Sequence, residues 1–277
     1  MTAWQYQFRD LTFGEGTLID VTATEGLEDL PPLRGSDIPR SGRHGLHHGL
    51  DLAEGRTVVF ELEITCATDA EFRSTIDDIK AATAPETTEN PLTFEHPGSV
   101  AQRIYVRPRR RSIPQDLAFS LYSARVVLEF LATDPRIYSD TEQSGSTGFP
   151  EGGVGRTYDL SFPRVYGAAG SGGSVSATND GTTATTWRAT IVGPWVNPTI
   201  TNVATGDVLS LSISIAAGET LVLDSADESI LLGSAHRLNS VLPGSVWPPI
   251  EPGANELRFG GASGSGTATL EWRSAWI

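Results

Sequence analysis

The chain has 277 residues, with 20 Lys and Arg against 34 Asp and Glu, a formal net charge of −14. That acidity repels phosphate and argues against a sequence-independent grip on nucleic acid, and the single cysteine, Cys66, excludes an internal disulfide. With 29 Gly, 17 Pro and 39% hydrophobic residues, the composition favours short strands joined by many turns over helical bundles.

Met1 to Asp10 shows no charged-then-apolar leader pattern, and no apolar run approaches the ~18 residues of a membrane span. Folding in a reducing cytoplasm and no membrane partner are expected. Trp4 to Phe8 alternates as a strand, and Thr17 to Thr22 is a second candidate. Val58, Phe60, Leu62 and Ile64 alternate with Val59, Glu61, Glu63 and Thr65, a strand with one buried face. Thr68 and Glu71 have capping-box spacing. Phe72, Ile76 and Ile79 then form one apolar stripe, which predicts a single helix over 68–82 packed on a sheet. Pro85 and Pro91 bracket its exit loop. Gln102 to Arg107 is a further strand. From Leu117 to Thr133 the apolar positions switch parity, which predicts a bulge near Tyr122 to Ala124 or two strands.

Asp134-Pro135 ends this unit. The Gly-rich stretch from Gly145 to Gly155 places a boundary there, giving domains 1–147 and 148–277. Gly167 to Ser174 reads as a long β-connection. At least eight short strands follow. Leu209, Leu211, Ile213 and Ile215 alternate with serines. The segments Arg258-Phe259 and Ala268, Leu270, Trp272, joined by Gly260–Gly266, read as a terminal hairpin. The class is mostly β: an N-terminal β-sandwich-like domain with one α-helix, then a C-terminal β-sandwich.

Catalytic signatures are lacking. There is no Gly-x-Ser-x-Gly elbow, phosphate loop or dinucleotide fingerprint. Cys66 follows an apolar strand and reads as packed and inert. Asp224, Asp227, Glu228, Glu251 and Glu256 read as turn residues rather than a glycosidase pair. His44, His47 and His48 sit in a Gly-rich loop without a second ligand group at metal spacing, so neither a metal nor a cofactor is expected. Arg107, Arg109, Arg110 and Arg111 form the one basic run, read as a turn or a patch that pairs with carboxylates of a neighbouring subunit. Together with the three histidines they are candidate intersubunit or lumen contacts. Trp195 and Trp247 are candidate glycan or partner contacts, against the commoner use of Trp as core.

Several segments resemble a known family. They are Asn197-Pro198-x-Ile200-x-Asn202 with Thr205-Gly206, Gly218-Glu219-Thr220-Leu221 to Asp224, Pro252-Gly253-x-Asn255-x-Leu257 and Leu270-x-Trp272-Arg273. In the first half they are Gly45 to Gly49, Arg56 before its strand, and Ala132 to Tyr138. Their order is similar to that of the distal tail protein of long-tailed, non-contractile phages, the siphovirus-type tail component. The resemblance implies a structural virion protein made in the bacterial host cytoplasm and placed at the virion tail tip. It implies a homohexameric ring that joins the tail tube protein to the tail-tip hub or baseplate, with the tape measure protein as a further neighbour. Genomic DNA would pass through without specific binding. Peripheral C-terminal galectin-like domains would support receptor-binding or accessory proteins. The alternative is a lectin-like, carbohydrate-binding module. Where galectins carry His-x-Asn-Pro-Arg, this chain has Trp195-Val196-Asn197-Pro198-Thr199, which removes two sugar-binding polar groups.

Overall fold

A computed structural model describes residues 3–150 and 173–277. Gly152, Gly153, Gly155 and the Gly167–Gly172 part of the expected β-connection lie outside the described residues. The chain divides into two compact units, Met1–Thr141 with Ile277, and Glu142–Trp276.

The first unit contains β1 (Gln5–Phe8), β2 (Leu11–Gly14) and β3 (Ile19–Glu25). A long excursion follows with four two-residue strands, β4 (Leu33–Arg34), β5 (Ile38–Pro39), β6 (Leu46–His47) and β7 (Leu52–Ala53). Then come β8 (Arg56–Thr65), α1 (Asp69–Ala82), β9 (Asn90–Phe94), β10 (Gln102–Ser112), β11 (Ser123–Ala132) and β12 (Ile137–Ser139). All pairings are antiparallel, and the main path runs β2-β1-β9-β10-β11-β8-β3. Strand β10 serves two sheets: Gln102–Val106 pairs with β9, and Arg107–Ser112 pairs with β11. A bulge between Pro108 and Arg110 marks the change. The path folds there into two layers, closed over Phe8, Phe13, Phe60, Leu62, Phe94 and Phe130.

The arginine run expected as a turn is therefore strand. Pro108 is tolerated because β10 has left β9 at Val106, so no ladder bond on that side needs its missing N–H. Pro91 also lies within a strand, one residue beyond the part of β9 that pairs with β1.

The helix forms as its pattern predicts. Thr68 Oγ1 accepts the N–H of Glu71, and Asp69 and Glu71 occupy the positive end of the helix while Lys80 sits at the other. Phe72, Ile76 and Ile79 are buried in the core. The parity switch near Tyr122 has a different origin from the expected one. Ala118–Leu121 is a 3₁₀ turn closed by Tyr122 at φ 62, and the strand begins at Ser123. Leu117 and Leu121 face solvent, while Phe119 packs edge-on against Phe72 at 4.8 Å.

The second unit is a sandwich of two principal sheets. One orders Gln143–Gly148, Thr267–Trp272, Trp187–Val192, Thr220–Asp224, Ser229–Leu232 and Ala235–His236. The other orders Ser174–Asn179, Gly253–Gly260, Thr199–Asn202 and Val208–Ser210. Trp187, Ile191, Leu223 and Leu270 of the first meet Val175, Ile200, Leu257 and Phe259 of the second. The expected terminal hairpin does not form, because Gly253–Gly260 and Thr267–Trp272 belong to different sheets. The chain between them crosses the sandwich edge and pairs Ser263–Gly264 with Trp195–Val196. The serine-alternating run splits as well: Val208–Ser210 and Ser214–Ile215 lie in different sheets, with Leu211 bridging singly to Val241.

Three buried amides explain two of the C-terminal signatures. Asn202 Nδ2 donates to Pro249 O at 2.7 Å and to Asn255 Oδ1 at 3.1 Å. Asn255 Nδ2 donates to Glu251 O at 2.6 Å and Gly253 O at 3.1 Å. Asn179 Nδ2 donates to Thr183 O and Ile250 O, and its Oδ1 accepts from Gly181 and Ala275. Buried loop backbone has to be hydrogen-bonded, and an amide can donate and accept at once.

Candidate assembly surface

Between β3 and β8 the chain leaves the sandwich as a two-stranded ribbon. Strand β4 pairs with β7, and β5 pairs with β6 nearer the tip. Every residue from 32 to 48 is exposed. The ribbon nevertheless carries Leu30, Leu33, Ile38, Leu46, Leu50 and Leu52, with Ile38 at 65% and Leu50 at 68% exposure. Single exposed leucines are ordinary, but five leucines and Ile38 on one extension are left uncovered by the described residues. His44, His47 and His48 sit at the tip, exposed, in and around the β5–β6 hairpin.

The root of the ribbon is rigid by contrast. Arg56, the first residue of β8, is 2% exposed. Its Nη1 donates to the carbonyls of Gly26 and Leu27 at 2.8 Å and of Asp29 at 2.7 Å, and its Nε donates to Pro135 O at 3.0 Å. Burial lowers the Arg56 guanidinium from its ordinary value, and the charges of Asp29 and Glu28 oppose that shift. Four converging carbonyls supply the remainder of its solvation. Gly26 turns at φ +85, where a Cβ would lie 1.9 Å from Thr57 O. The ribbon root must therefore be glycine there.

Pro135 belongs to a second, part-buried cluster. The guanidinium of Arg136 embraces the Asp134 carboxylate, with Nε–Oδ1 at 2.9 Å and Nη2–Oδ2 at 2.8 Å, and Tyr138 Oη donates to Oδ2 at 2.6 Å. Burial alone would raise Asp134, yet the Arg136 and Tyr138 hydrogen bonds hold it below its ordinary value. The segment Ala132 to Tyr138 is thus a fixed corner that presents the Pro135 carbonyl to Arg56.

Beside β3 opens a groove of roughly 930 Å³, lined by Trp4, Tyr6, Val21, Leu27 and Pro97 among apolar groups and by Glu15, Asp20, Glu28 and Asp29. Trp4 is 52% exposed and held at φ 64, tilted against His96 at 5.1 Å. His96 Nε2 lies 3.3 Å from Tyr6 Oη and its Nδ1 lies 3.0 Å from Glu28. Among the described residues no Lys or Arg lines the groove. The outer edge of β3 ends the sheet path and pairs with no other strand among the described residues.

The arginine run is split by its strand. Arg109 and Arg110 are exposed at the bulge. Arg111 Nη1 donates to Lys80 O at 3.0 Å and Thr83 Oγ1 at 2.8 Å, which ties β10 to the end of α1. Arg107 has its Nε buried without a hydrogen-bond partner. The run and the three histidines do not converge on one site, since the histidines lie on the ribbon and the arginines on β10.

Trp195 is a correction. It is wholly buried, with Nε1 donating to Gly260 O at 2.9 Å and Phe149 edge-on at 4.9 Å, so it presents no face to a glycan or partner. A two-residue strand that pairs on both edges pulls it into the core. Trp247 is half-buried and tilted against Trp187 at 5.7 Å. The exposed indole is Trp4, which the alternation of Trp4 to Phe8 disguises as a strand residue. Glu256 is likewise a strand residue, accepting from Ser174 Oγ at 2.8 Å. Among the described residues, no group of three or more His, Cys, Asp and Glu could hold a metal ion.

Residues 180–276 match the family model described as the siphovirus-type tail component, C-terminal domain. Over these residues the chain is similar to that family. The resemblance to distal tail proteins seen in the sequence is borne out, and the mostly β architecture with one helix agrees with it. The fold is similar to that of the Dit protein (gp 19.1) of phage SPP1, described as a paradigm of the hub adsorption apparatus in Gram-positive infecting phages. The TM-score is 0.65, covering 94% of both chains at 12% identity. It is also similar to a chain of the phage P2 baseplate in its activated conformation with Ca, with a TM-score of 0.56 covering 99% of each chain at 10% identity. The corresponding baseplate structure with Sr gives a TM-score of 0.54 at 10% identity. No curated protein sequence matches the chain significantly.

Proposed function

We propose that this chain is a distal tail adaptor: six copies close into a ring through their first units, join the tail tube to the tip hub, and leave a central passage for DNA. The second units face outward and support receptor-binding or accessory proteins. The role is scaffolding, without catalysis, at the tip of the virion tail. One observation carries the reading. A ribbon whose residues 32 to 48 are all exposed, and which still bears six large apolar side chains, is built to be covered by another protein surface. Its root, fixed by Arg56, is as rigid as the ribbon is unsupported. The acidity suits a passage for DNA, since six copies would carry 6 × −14 = −84 charges. The likeness to SPP1 Dit and to a phage baseplate chain supports the same place in the virion.

Light scattering on the purified full chain tests this directly. A species near 6 × 29.6, or about 178 kDa, is expected. A monomer at every concentration would count against a self-assembling ring.

A further inference from the structure

The connection between β10 and β11 carries the two most exposed large apolar side chains among the described residues, Leu117 at 79% and Leu121 at 70%. The turn that bears them is anchored. Phe119 meets Phe72 of α1 edge-on, and the Arg73 guanidinium lies 5.6 Å from the centre of the Phe119 ring. Asp116 Oδ1 accepts the Phe119 N–H at 3.2 Å, and Ser120 Oγ donates to Leu117 O at 2.7 Å. Phe119 packs against the core while the leucines on either side of it stay in water. A covering surface would remove that apolar area from solvent.

Beside the turn, between α1 and the end of β10, lies a depression of roughly 350 Å³. The charged residues of its lining are Arg73, Lys80 and Arg111 against Asp77, a local charge of 3 − 1 = +2. Phe119 lines it as well, so the apolar turn and the cationic depression are one continuous surface. Arg109 and Arg110 precede Arg111 on the strand and are exposed. The chain has 34 Asp and Glu, yet among the described residues none of these three arginines is in an ion pair. Arg73 and Lys80 pair with Asp69 and Asp77 on the solvent face of the helix, where such pairs contribute little and exchange readily.

We propose that this surface docks an acidic, amphipathic segment of a different protein. Its apolar side chains cover Leu117 and Leu121, and its carboxylates meet Lys80, Arg111 and the flanking Arg109 and Arg110. Nucleic acid is the poorer match, because leucines offer a base no π-face and the Phe119 ring is already engaged by Phe72 and Arg73. The contact needs one copy of this chain and goes beyond the ring reading, which it does not require.

The test uses the full chain and fluorescein-labelled peptides of about 16 residues, read by anisotropy. One peptide carries Leu on one helix face and Glu on the other. A second replaces Leu by Ser, a third replaces Glu by Lys, and an oligothymidylate represents nucleic acid. The Leu–Glu peptide is expected to bind, and the other three probes to bind about tenfold or more weakly. Arg109→Glu with Arg110→Glu and, separately, Leu117→Ser with Leu121→Ser change exposed residues, so circular dichroism should match wild type. Each pair should weaken the Leu–Glu peptide about tenfold, and the Leu–Lys peptide should bind the charge-reversed variant better than wild type. Lys80 is the one lysine of the chain. A zero-length carbodiimide should therefore join its Nζ to a peptide carboxylate, and Lys80→Arg should abolish that adduct. No binding of the Leu–Glu peptide, or equal binding to wild type and both variants, would overturn the docking. Tighter binding of the oligothymidylate at the same residues would assign the surface to nucleic acid and overturn it as well. If light scattering showed the two variants changing the size of the full chain, the occupant would be a second copy, and the proposal would again be overturned.

Discussion

Replacing Arg56 by alanine should loosen the ribbon root and destabilise the first unit by about 3–5 kcal/mol. The side chain donates to four carbonyls, those of Gly26, Leu27, Asp29 and Pro135, and it is 2% exposed. A hydrogen bond to a charged group contributes about 1.5–3 kcal/mol. Part of that returns as water reaches the carbonyls nearest the surface, which leaves roughly half of the summed value. The first unit spans Met1–Thr141, and for domains near this size a 3–5 kcal/mol loss corresponds to roughly 10–20 °C in Tm. Arg56→Lys keeps the charge but replaces a planar fork by a point donor, and should recover about half of the loss. Calorimetry on the full chain reads the transition, and hydrogen exchange over residues 26–55 reads the ribbon root. A Tm within about 2 °C of wild type, with unchanged exchange at Leu27 to Leu33, would refute the clamp.

Three further outcomes follow from the same geometry. Gly26→Ala should cost about 3 kcal/mol or more through positive φ and a 1.9 Å approach to Thr57 O, while Gly16→Ala, at φ +77 with open space around it, should cost about 1 kcal/mol; chemical denaturation of the two variants compares them. Asp134 lies below its ordinary value when folded, so its stabilisation is present above the unfolded pKa of about 3.9 and is lost as pH falls through the folded value; Asp134→Asn should lower Tm at neutral pH and flatten the acid dependence below about pH 4. Trp195→Ala should destabilise the second unit by about 3–5 kcal/mol as a core deletion, whereas Trp247→Ala, at a half-buried position, should cost less; calorimetric scans of both variants measure the difference.

What was legible in the sequence follows from how local each signal is. The helix was readable because Thr68, Glu71, Phe72, Ile76 and Ile79 act within a few residues of one another. Strand β8 was readable because Val58 to Ile64 keeps strict alternation, one face in the core and the other toward solvent. Strand β9 was obscured by Pro91, since whether a proline fits a strand depends on which neighbour leaves the edge open. The parity change at Tyr122 reflects a 3₁₀ turn whose Phe119 finds a partner 47 positions away, at Phe72, which no local pattern reveals. The terminal hairpin was misread for a similar reason: two well-formed strands close in sequence joined different sheets.

The candidate surface was less legible still. The Gly-rich segment around the histidines gave little sign of a ribbon, because its strands are two residues long and its leucines are scattered. Trp195 and Trp4 exchanged their expected places: the first lies in a strand paired on both edges, the second at a strained residue just before β1. Arg56 carried a family likeness in the sequence, and only the fold shows that its role is to hold Gly26, Leu27 and Asp29 in place.

The proposed adaptor depends on closure of this chain into a ring through its first unit. Negative-stain imaging of the full chain, with a ribbon-deleted form lacking residues 33–50 alongside, tests it most directly. Closed six-membered rings with an open centre are expected for the full chain, and isolated particles for the deleted form. Two-fold dimers, or rings that persist undiminished without the ribbon, would contradict it.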